Sequence, residues 1–214
     1  MKIFKKIFAA LVLALLVITL SACGENNAKK ITGRWGASTD VAALLDMNAL
    51  GENFKDFDPK LELMLYFEFN EDGTFNLFFD DMDKDTLIDK WYDDFFAYAR
   101  QATAKEAQKQ GMSYKDFEAQ YEKEYGIAFE EYFRTQIESL LKIDSIVSGI
   151  ETSGKYKVDG NRFYAAESSL NFDDEIYSVI KISGKKLTFV STTVPGYDPK
   201  KEIIKYPLTF KKSV

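Results

Sequence analysis

The residues able to do chemistry in this sequence are few in kind. There is no histidine in 214 residues, and there is one cysteine, Cys23. That excludes Ser-His-Asp and Cys-His relays, imidazole metal sites and an internal disulfide. What remains in quantity is carboxylate: 34 Asp and Glu against 28 Lys and Arg, a net charge of −6. The densest run is Asp80-Asp81-Met82-Asp83-Lys84-Asp85, followed by Asp89. A calcium loop of the EF-hand type takes oxygens at positions 1, 3, 5, 9 and 12 and glycine at position 6. Counted from Asp81, positions 3, 5 and 9 are Asp83, Asp85 and Asp89, but position 6 is Thr86 and position 12 is Tyr92. Both the turn glycine and the bidentate glutamate are lacking, so the run reads as a solvated junction whose acids suit a helix N-terminus. Asn171-Phe172-Asp173-Asp174-Glu175 is a second acidic turn of the same kind. Paired carboxylates could hydrolyse a glycoside without histidine. No pair here sits in a recognisable frame, and the sequence has neither a phosphate-cradling glycine-rich loop nor a Gly-x-Ser-x-Gly elbow. The expectation is a non-enzymatic protein without metal or cofactor, with a carboxylate-based hydrolase third among the functions considered. An acidic chain also does not bind nucleic acid.

The one cysteine has a context. Lys2, Lys5 and Lys6 precede an apolar run from Ile7 to Leu20. That run is shorter than the about 20 residues a membrane-spanning helix needs and suits the apolar region of a signal peptide. It leads into Leu20-Ser21-Ala22-Cys23, which resembles the lipobox of bacterial lipoproteins. The resemblance implies cleavage before Cys23, diacylglycerol on its thiol, and anchoring at the extracytoplasmic face of the cell membrane. Acyl chains such as palmitate hold at about 0.8 kcal/mol per buried CH₂. Residues 1–22 are thus read as a signal peptide and 23–30 as a lipidated tether. Removing the signal takes three lysines and no acid, which leaves 25 basic and 34 acidic residues and a net charge of −9. Anionic headgroups repel such a body, so the lipid alone holds it to the membrane.

The remaining side chains with something to offer are aromatic: 18 Phe, 12 Tyr and 2 Trp. Two periodicities position them. Residues 31–83 and 151–214 read as strands and residues 84–150 as helices. Leu61, Leu63, Leu65, Phe67 and Phe69 alternate with polar or mixed positions, a period of two, and Asp72-Gly73 turns the chain into Phe75, Leu77 and Phe79. Further strands are expected at 31–37, 154–158, 162–167, 176–182, 187–193 and 203–211, most of them joined by tight turns such as Asp159-Gly160 and Ser183-Gly184. Eight short strands in up-and-down order remove their edges best by closing into a barrel. A barrel of eight is filled by side chains or holds one small ligand. On that reading Trp35, Phe67, Phe69, Phe75, Leu77, Tyr156, Ile180, Phe189 and Tyr206 point inward and line an apolar ligand site or a core.

Val41–Leu50 reads as a short helix with Asp40 as its cap and Gly51 as its stop. Leu87, Ile88, Trp91, Tyr92, Phe95, Ala99 and Ala102 recur at three- and four-residue steps, which predicts an amphipathic helix over 84–110. Ser113 opens a second helix that stops at Gly126. A third runs from Phe129 through Phe133, Ile137, Leu140, Leu141 and Val147 to Gly149. Trp91, Tyr92, Phe95 and Phe96 make a cluster broader than one buried stripe needs, and are expected to cap the barrel mouth or face a protein partner.

Gly33-Arg34-Trp35 resembles the Gly-x-Trp motif of lipocalins, and with Phe69-Asn70-Glu71-Asp72-Gly73-Thr74-Phe75 it is similar to lipocalin-like bacterial lipoproteins. That resemblance implies a tryptophan plugging the closed end of the barrel under an arginine near the last strand; no arginine follows Arg162. Residues 110–117 and 125–132 are similar to helical repeats of trigger-factor and parvulin-type chaperones. The expected architecture is an eight-stranded antiparallel lipocalin-like barrel, 31–83 and 151–214, interrupted by a three-helix segment, 84–150. The expected function is binding at the cell envelope, of a small apolar ligand in the barrel or of a protein partner. A chaperone-like or assembly role for the helices is the alternative.

Overall fold

The structure is a computed structural model that describes residues 27–50, 54, 56–166, 172–198 and 205–213, with Asn48 and Ala49 described by backbone alone. Cys23 and the lipobox lie outside these residues. Eight antiparallel strands close into a barrel in sequence order. They are β1 (Gly33–Asp40), β2 (Glu62–Phe69), β3 (Thr74–Phe79), β4 (Thr152–Asp159), β5 (Arg162–Ala166), β6 (Ser178–Ser183), β7 (Lys186–Thr192) and β8 (Leu208–Lys212). Four helices stand between β3 and β4 in the chain: α1 (Lys84–Lys109), α2 (Tyr114–Tyr125), α3 (Phe129–Leu141) and α4 (Ile143–Ile150). The described residues divide into two compact units, one within 1–37, 65–78 and 151–214, the other within 38–64 and 79–150.

In the first unit the period-two pattern does what it dictates. Leu65, Phe67, Phe69, Phe75 and Leu77 are buried, as are Phe163, Ile180, Leu187, Phe189 and Phe210. Phe67 sits at the middle of this core. Its ring centroid lies 5.0 Å from Phe69, 5.8 Å from Phe75, 6.3 Å from Phe163, 5.4 Å from Phe189 and 5.5 Å from Phe210. Those rings come from β2, β3, β5, β7 and β8, so side chains from around the barrel meet on one residue and fill the interior at that level.

The strand ends closing the barrel are specified by glycine and a cation. Trp35 pairs with Lys212 in the β1–β8 register. Trp35 is fully buried, and its indole N–H donates to the Ile31 carbonyl. The Lys212 ammonium stands 5.1 Å from the Trp35 ring and donates to the Thr32 carbonyl at 2.9 Å. Gly33 has φ +112°, and a Cβ there would come within 3.2 Å of Lys212 Cε. The positive φ favours glycine, and the close Lys212 side chain leaves little spare room for a Cβ. At Gly154, opposite Phe75 in the β3–β4 ladder, a Cβ would collide with the Ala166 carbonyl and lie 3.0 Å from the Phe75 ring.

Several boundaries differ from the sequence reading. Residues 27–31, expected within or just past a flexible tether, form a helical turn, because Ile31 is buried and the Asn27 amide donates to the Gly160 carbonyl at 2.9 Å. β1 therefore starts at Gly33 and runs to Asp40. β8 begins at Leu208, after a cis Tyr206-Pro207 bond; the expected start of that strand, Ile203 and Ile204, lies outside the described residues.

In the second unit the helix expected at 41–50 is replaced by two short 3-10 turns, Val41–Leu44 and Met47–Leu50. Asp40 makes no cap there; its carboxylate accepts from the Leu61 N–H at 3.1 Å. The expected third helix is two helices. Lys142 takes φ +47° and breaks the run. In one continuous helix Leu141 and Ile143 would point to nearly opposite sides. The break lets both be buried, and the second piece runs one residue past Gly149. Ser113 caps α2 as expected, accepting from the Asp116 N–H at 3.2 Å.

Candidate functional site

Part of each acidic run is engaged by nearby residues. The Asp80 carboxylate accepts from the Met82 N–H at 3.2 Å, and Asp81 pairs with Lys84 at 2.7 Å. The Asp173 carboxylate accepts from the Glu175 N–H at 2.8 Å. Among the described residues no three carboxylates gather as a metal site would require. An open groove of about 560 Å³ is lined by Asp85, Asp89, Glu138 and Asp144 with Lys142, over Tyr92. Burial pushes the Tyr92 hydroxyl up to about 12, with Asp144 and Glu138 adding to it and the Ile143 backbone opposing it.

The residues expected to line the barrel fall into two groups. Trp35, Phe67, Phe69, Phe75, Leu77, Ile180 and Phe189 are buried core residues. Tyr156 and Tyr206 are only half-buried and their hydroxyls are committed. Tyr156 donates to the Asn70 carbonyl at 2.9 Å, and Tyr206 shares a 3.0 Å hydrogen bond with Ser178.

The aromatic cluster on α1 is placed differently from its expected partner-facing role. Trp91, Tyr92 and Phe95 are buried, at 3%, 6% and 0% exposure. Phe57 covers Trp91 and Phe95, at 5.6 and 4.9 Å between ring centroids, and Phe54 covers Phe95 at 5.5 Å. The Trp91 indole donates to the Pro59 carbonyl at 3.1 Å. These three are therefore core of their own unit, closed by a segment the helical pattern does not contain. Phe96 alone is half-exposed.

From Phe95 and Phe96 a chain of rings runs outward. Phe133 of α3 stacks on Phe95 at 6.2 Å, Phe129 on Phe133 at 5.6 Å, and Phe117 and Tyr121 of α2 meet Phe129 at 5.0 and 5.1 Å. Tyr125 and Tyr132 finish the chain, 4.5 and 5.9 Å from Tyr121. On α2 the aromatic positions are 114, 117, 121 and 125, a three-four-four spacing that forms one stripe. No residue of α2 is buried. Twelve residues are too few for a stable isolated helix in water, so this stripe against α3 holds α2 in place.

Beside the chain lies a cleft of about 80 Å³ between Phe96, Tyr114, Phe129 and Phe133, with Arg100 and Arg134 at its sides. Both cations are paired. Arg100 makes an ion pair with Glu130, and that hydrogen bond and charge hold its guanidinium above the usual range. Arg134 meets Asp93 at 3.0 Å and lies 4.3 Å over the Phe96 ring. Burial, then the Glu118 and Glu130 carboxylates, push the Tyr114 hydroxyl up to about 12. The described residues of the helical unit thus offer a ring-lined surface whose flanking cations are already paired. Among the described residues no helix is long and apolar enough to cross a membrane.

The residues that sequence reasoning missed here are Phe117, Tyr121, Tyr125, Phe129, Tyr132 and Phe133 as one continuous surface. The spacing within α2 was a usable signal; its alignment with α3 was not. No family model matches the chain, and neither a curated protein nor a solved structure matches it.

Proposed function

We propose that this is an exported, lipid-anchored, non-catalytic binding protein of the cell envelope whose barrel is a filled scaffold and whose helical unit meets a protein partner. The carrying observation is the convergence of five rings on Phe67. A ligand-carrying barrel needs an apolar cavity of about 300 Å³ or more, and the rings that meet around Phe67 support a filled interior instead. The surface left for recognition is the ring-lined face of α2 and α3. Anchoring rests on the lipobox, Leu20 to Cys23. The lipocalin-like assignment of the barrel is supported by Gly33, Trp35 and the cation of Lys212 over that tryptophan. A chaperone-like role has less support, since α1 keeps its largest rings in the core.

Two measurements test this. Native mass spectrometry of the protein extracted without denaturation is expected to give the mass of the lipidated chain alone; a reproducible further mass lost on solvent extraction would restore the ligand carrier. A photo-reactive residue placed at Leu140, 57% exposed on α3, is expected to capture a protein in intact envelopes, and one at Val190, 43% exposed on β7, is not. Capture from Val190 alone would overturn the role given to the helices. Cys23→Ser is expected to release the chain from the membrane fraction.

A further inference from the structure

We infer that the Tyr121, Tyr125 and Tyr132 cluster is a docking face for a lysine- or arginine-bearing segment of a partner protein. This rests on the proposed function and names the chemistry of the partner. Tyr125 is 60% exposed and Tyr132 41% exposed, and both rings lean on Tyr121. Elsewhere the molecule covers outward-facing rings with its own cations. Arg34 lies 3.8 Å from the Tyr66 ring, Lys157 4.6 Å from Tyr164, Arg162 4.7 Å from Tyr177 and Arg134 4.3 Å from Phe96. Among the described residues no cation stands over Tyr121, Tyr125 or Tyr132.

The surroundings have the sign a cation needs. From Tyr114 to Tyr132 the chain carries six acids and two lysines. Glu122 and Glu124 lie on the last turn of α2 and Glu131 on the first turn of α3, next to Tyr132. Among the described residues these three make no ion pair, whereas Arg100 and Arg134 already have acidic partners. Ring faces are electron-rich and attract ammonium and guanidinium groups, and a nearby carboxylate completes the site. A neutral apolar segment would cover the same rings but strip water from unpaired carboxylates, which is costly. A second copy offering this same acidic face brings the wrong charge. The unit of residues 38–64 and 79–150 holds 22 acids against 11 bases, a field that steers cationic partners toward it.

The test uses the full lipidated chain in detergent and a short fluorescent peptide alternating lysine and alanine, read by anisotropy. The lysine peptide is expected to bind, and to bind more weakly as salt rises from about 50 mM to about 500 mM. The same peptide with glutamate for lysine is expected not to bind. Tyr125→Ala with Tyr132→Ala is expected to weaken binding about tenfold or more, with helicity unchanged by circular dichroism. Tyr125→Phe with Tyr132→Phe keeps binding, because the ring face and not the hydroxyl is used. Glu122→Gln, Glu124→Gln and Glu131→Gln together remove most of the salt dependence. Absent binding, equal binding of the glutamate peptide, or binding indifferent to the alanine pair overturns the inference. Photo-cross-linking from position 125 in envelopes separates the two levels. A captured partner whose contacting segment is neutral or acidic overturns the inference and leaves the proposed function standing. Capture from Val190 alone overturns both.

Discussion

The two units use the same residue type in opposite ways. In the barrel unit phenylalanines from five strands meet around Phe67, and outward-facing tyrosines lie under Arg34, Lys157 and Arg162. In the helical unit the rings grade from Phe95, fully buried, to Tyr125, 60% exposed. A closed sheet has an inside, so alternate residues converge whatever their number. A helix pair has only a shared stripe, so rings beyond its width remain at the surface. The charges follow the same division. Residues 23–37, 65–78 and 151–214 hold 14 bases against 12 acids, where the helical unit is strongly acidic. The barrel supplies cations for its own rings; the exposed rings of α2 and α3 have acids beside them instead.

Removing the centre of each core gives the largest effects. Phe67→Ala deletes a ring that meets five others and is expected to cost about 3–5 kcal/mol in denaturant unfolding. Phe95→Ala, fully buried in the other unit, is expected to cost a similar amount. Phe129→Ala, half-exposed between α2 and α3, is expected to cost clearly less. Equal losses at all three would dissolve the contrast between a converging core and a graded stripe. The next effect belongs to the barrel alone. Gly154→Val places side-chain atoms against the Ala166 carbonyl and the Phe75 ring, and is expected to cost about 1–3 kcal/mol by overpacking. Gly126→Ala ends α2 in open space, though at φ +72°, and is expected to cost about 1 kcal/mol from the backbone alone.

Much of this is legible in the sequence. The alternation from Leu61 to Phe79 carried the inward face of two strands, and the Asp-Gly turns carried their order. The three-four spacing of Ile88, Trp91, Phe95 and Ala99 carried α1, and Ser113 carried the start of α2. The illegible parts are those set by residues distant in sequence. Lys212 reaches Trp35 across the barrel closure, 177 positions away, and nothing beside either residue signals it. The burial of Trp91 and Phe95 depends on Phe54 and Phe57, which lie in a stretch without helical or strand period. The left-handed turn at Lys142 answers to the burial of Leu141 and Ile143 on both sides of it, which a local pattern extends straight through. The tyrosine face shows half of this in sequence: the α2 stripe is periodic, but which α3 rings meet it is tertiary.

Alkaline pH sharpens the contrast through the helical unit. Tyr92 and Tyr114 are held up to about 12, chiefly by burial, against about 10 in the unfolded chain. Below pH 10 both states keep the proton and the contribution is intact. Between about 10 and about 12 the unfolded state loses protons that the folded state keeps, so stability falls as pH rises. Tyr92→Phe is expected to flatten that fall, read as denaturation midpoints across the window. An unchanged slope would mean that Tyr92 ionises in the folded state as easily as in the unfolded one.

The smallest expected stability change is at the exposed end of the ring chain. Among the described residues Tyr125 makes ring contact with Tyr121 alone, and so does Tyr132. Replacing both with alanine removes two ring contacts at the surface and fills or empties no core, so about 1 kcal/mol or less is expected. Tyr121→Ala differs, because Tyr121 also packs on Phe117 and Phe129. Its loss is expected to loosen α2 itself, seen as faster amide exchange over 114–125, while exchange in β2 and β7 is unchanged. Should Tyr125→Ala with Tyr132→Ala loosen α2 as much as Tyr121→Ala, those two rings would belong to the helix's own packing. If α2 stays protected in the double variant, their exposure is not needed to hold the helix, and the surface they make is free to serve contact with another molecule.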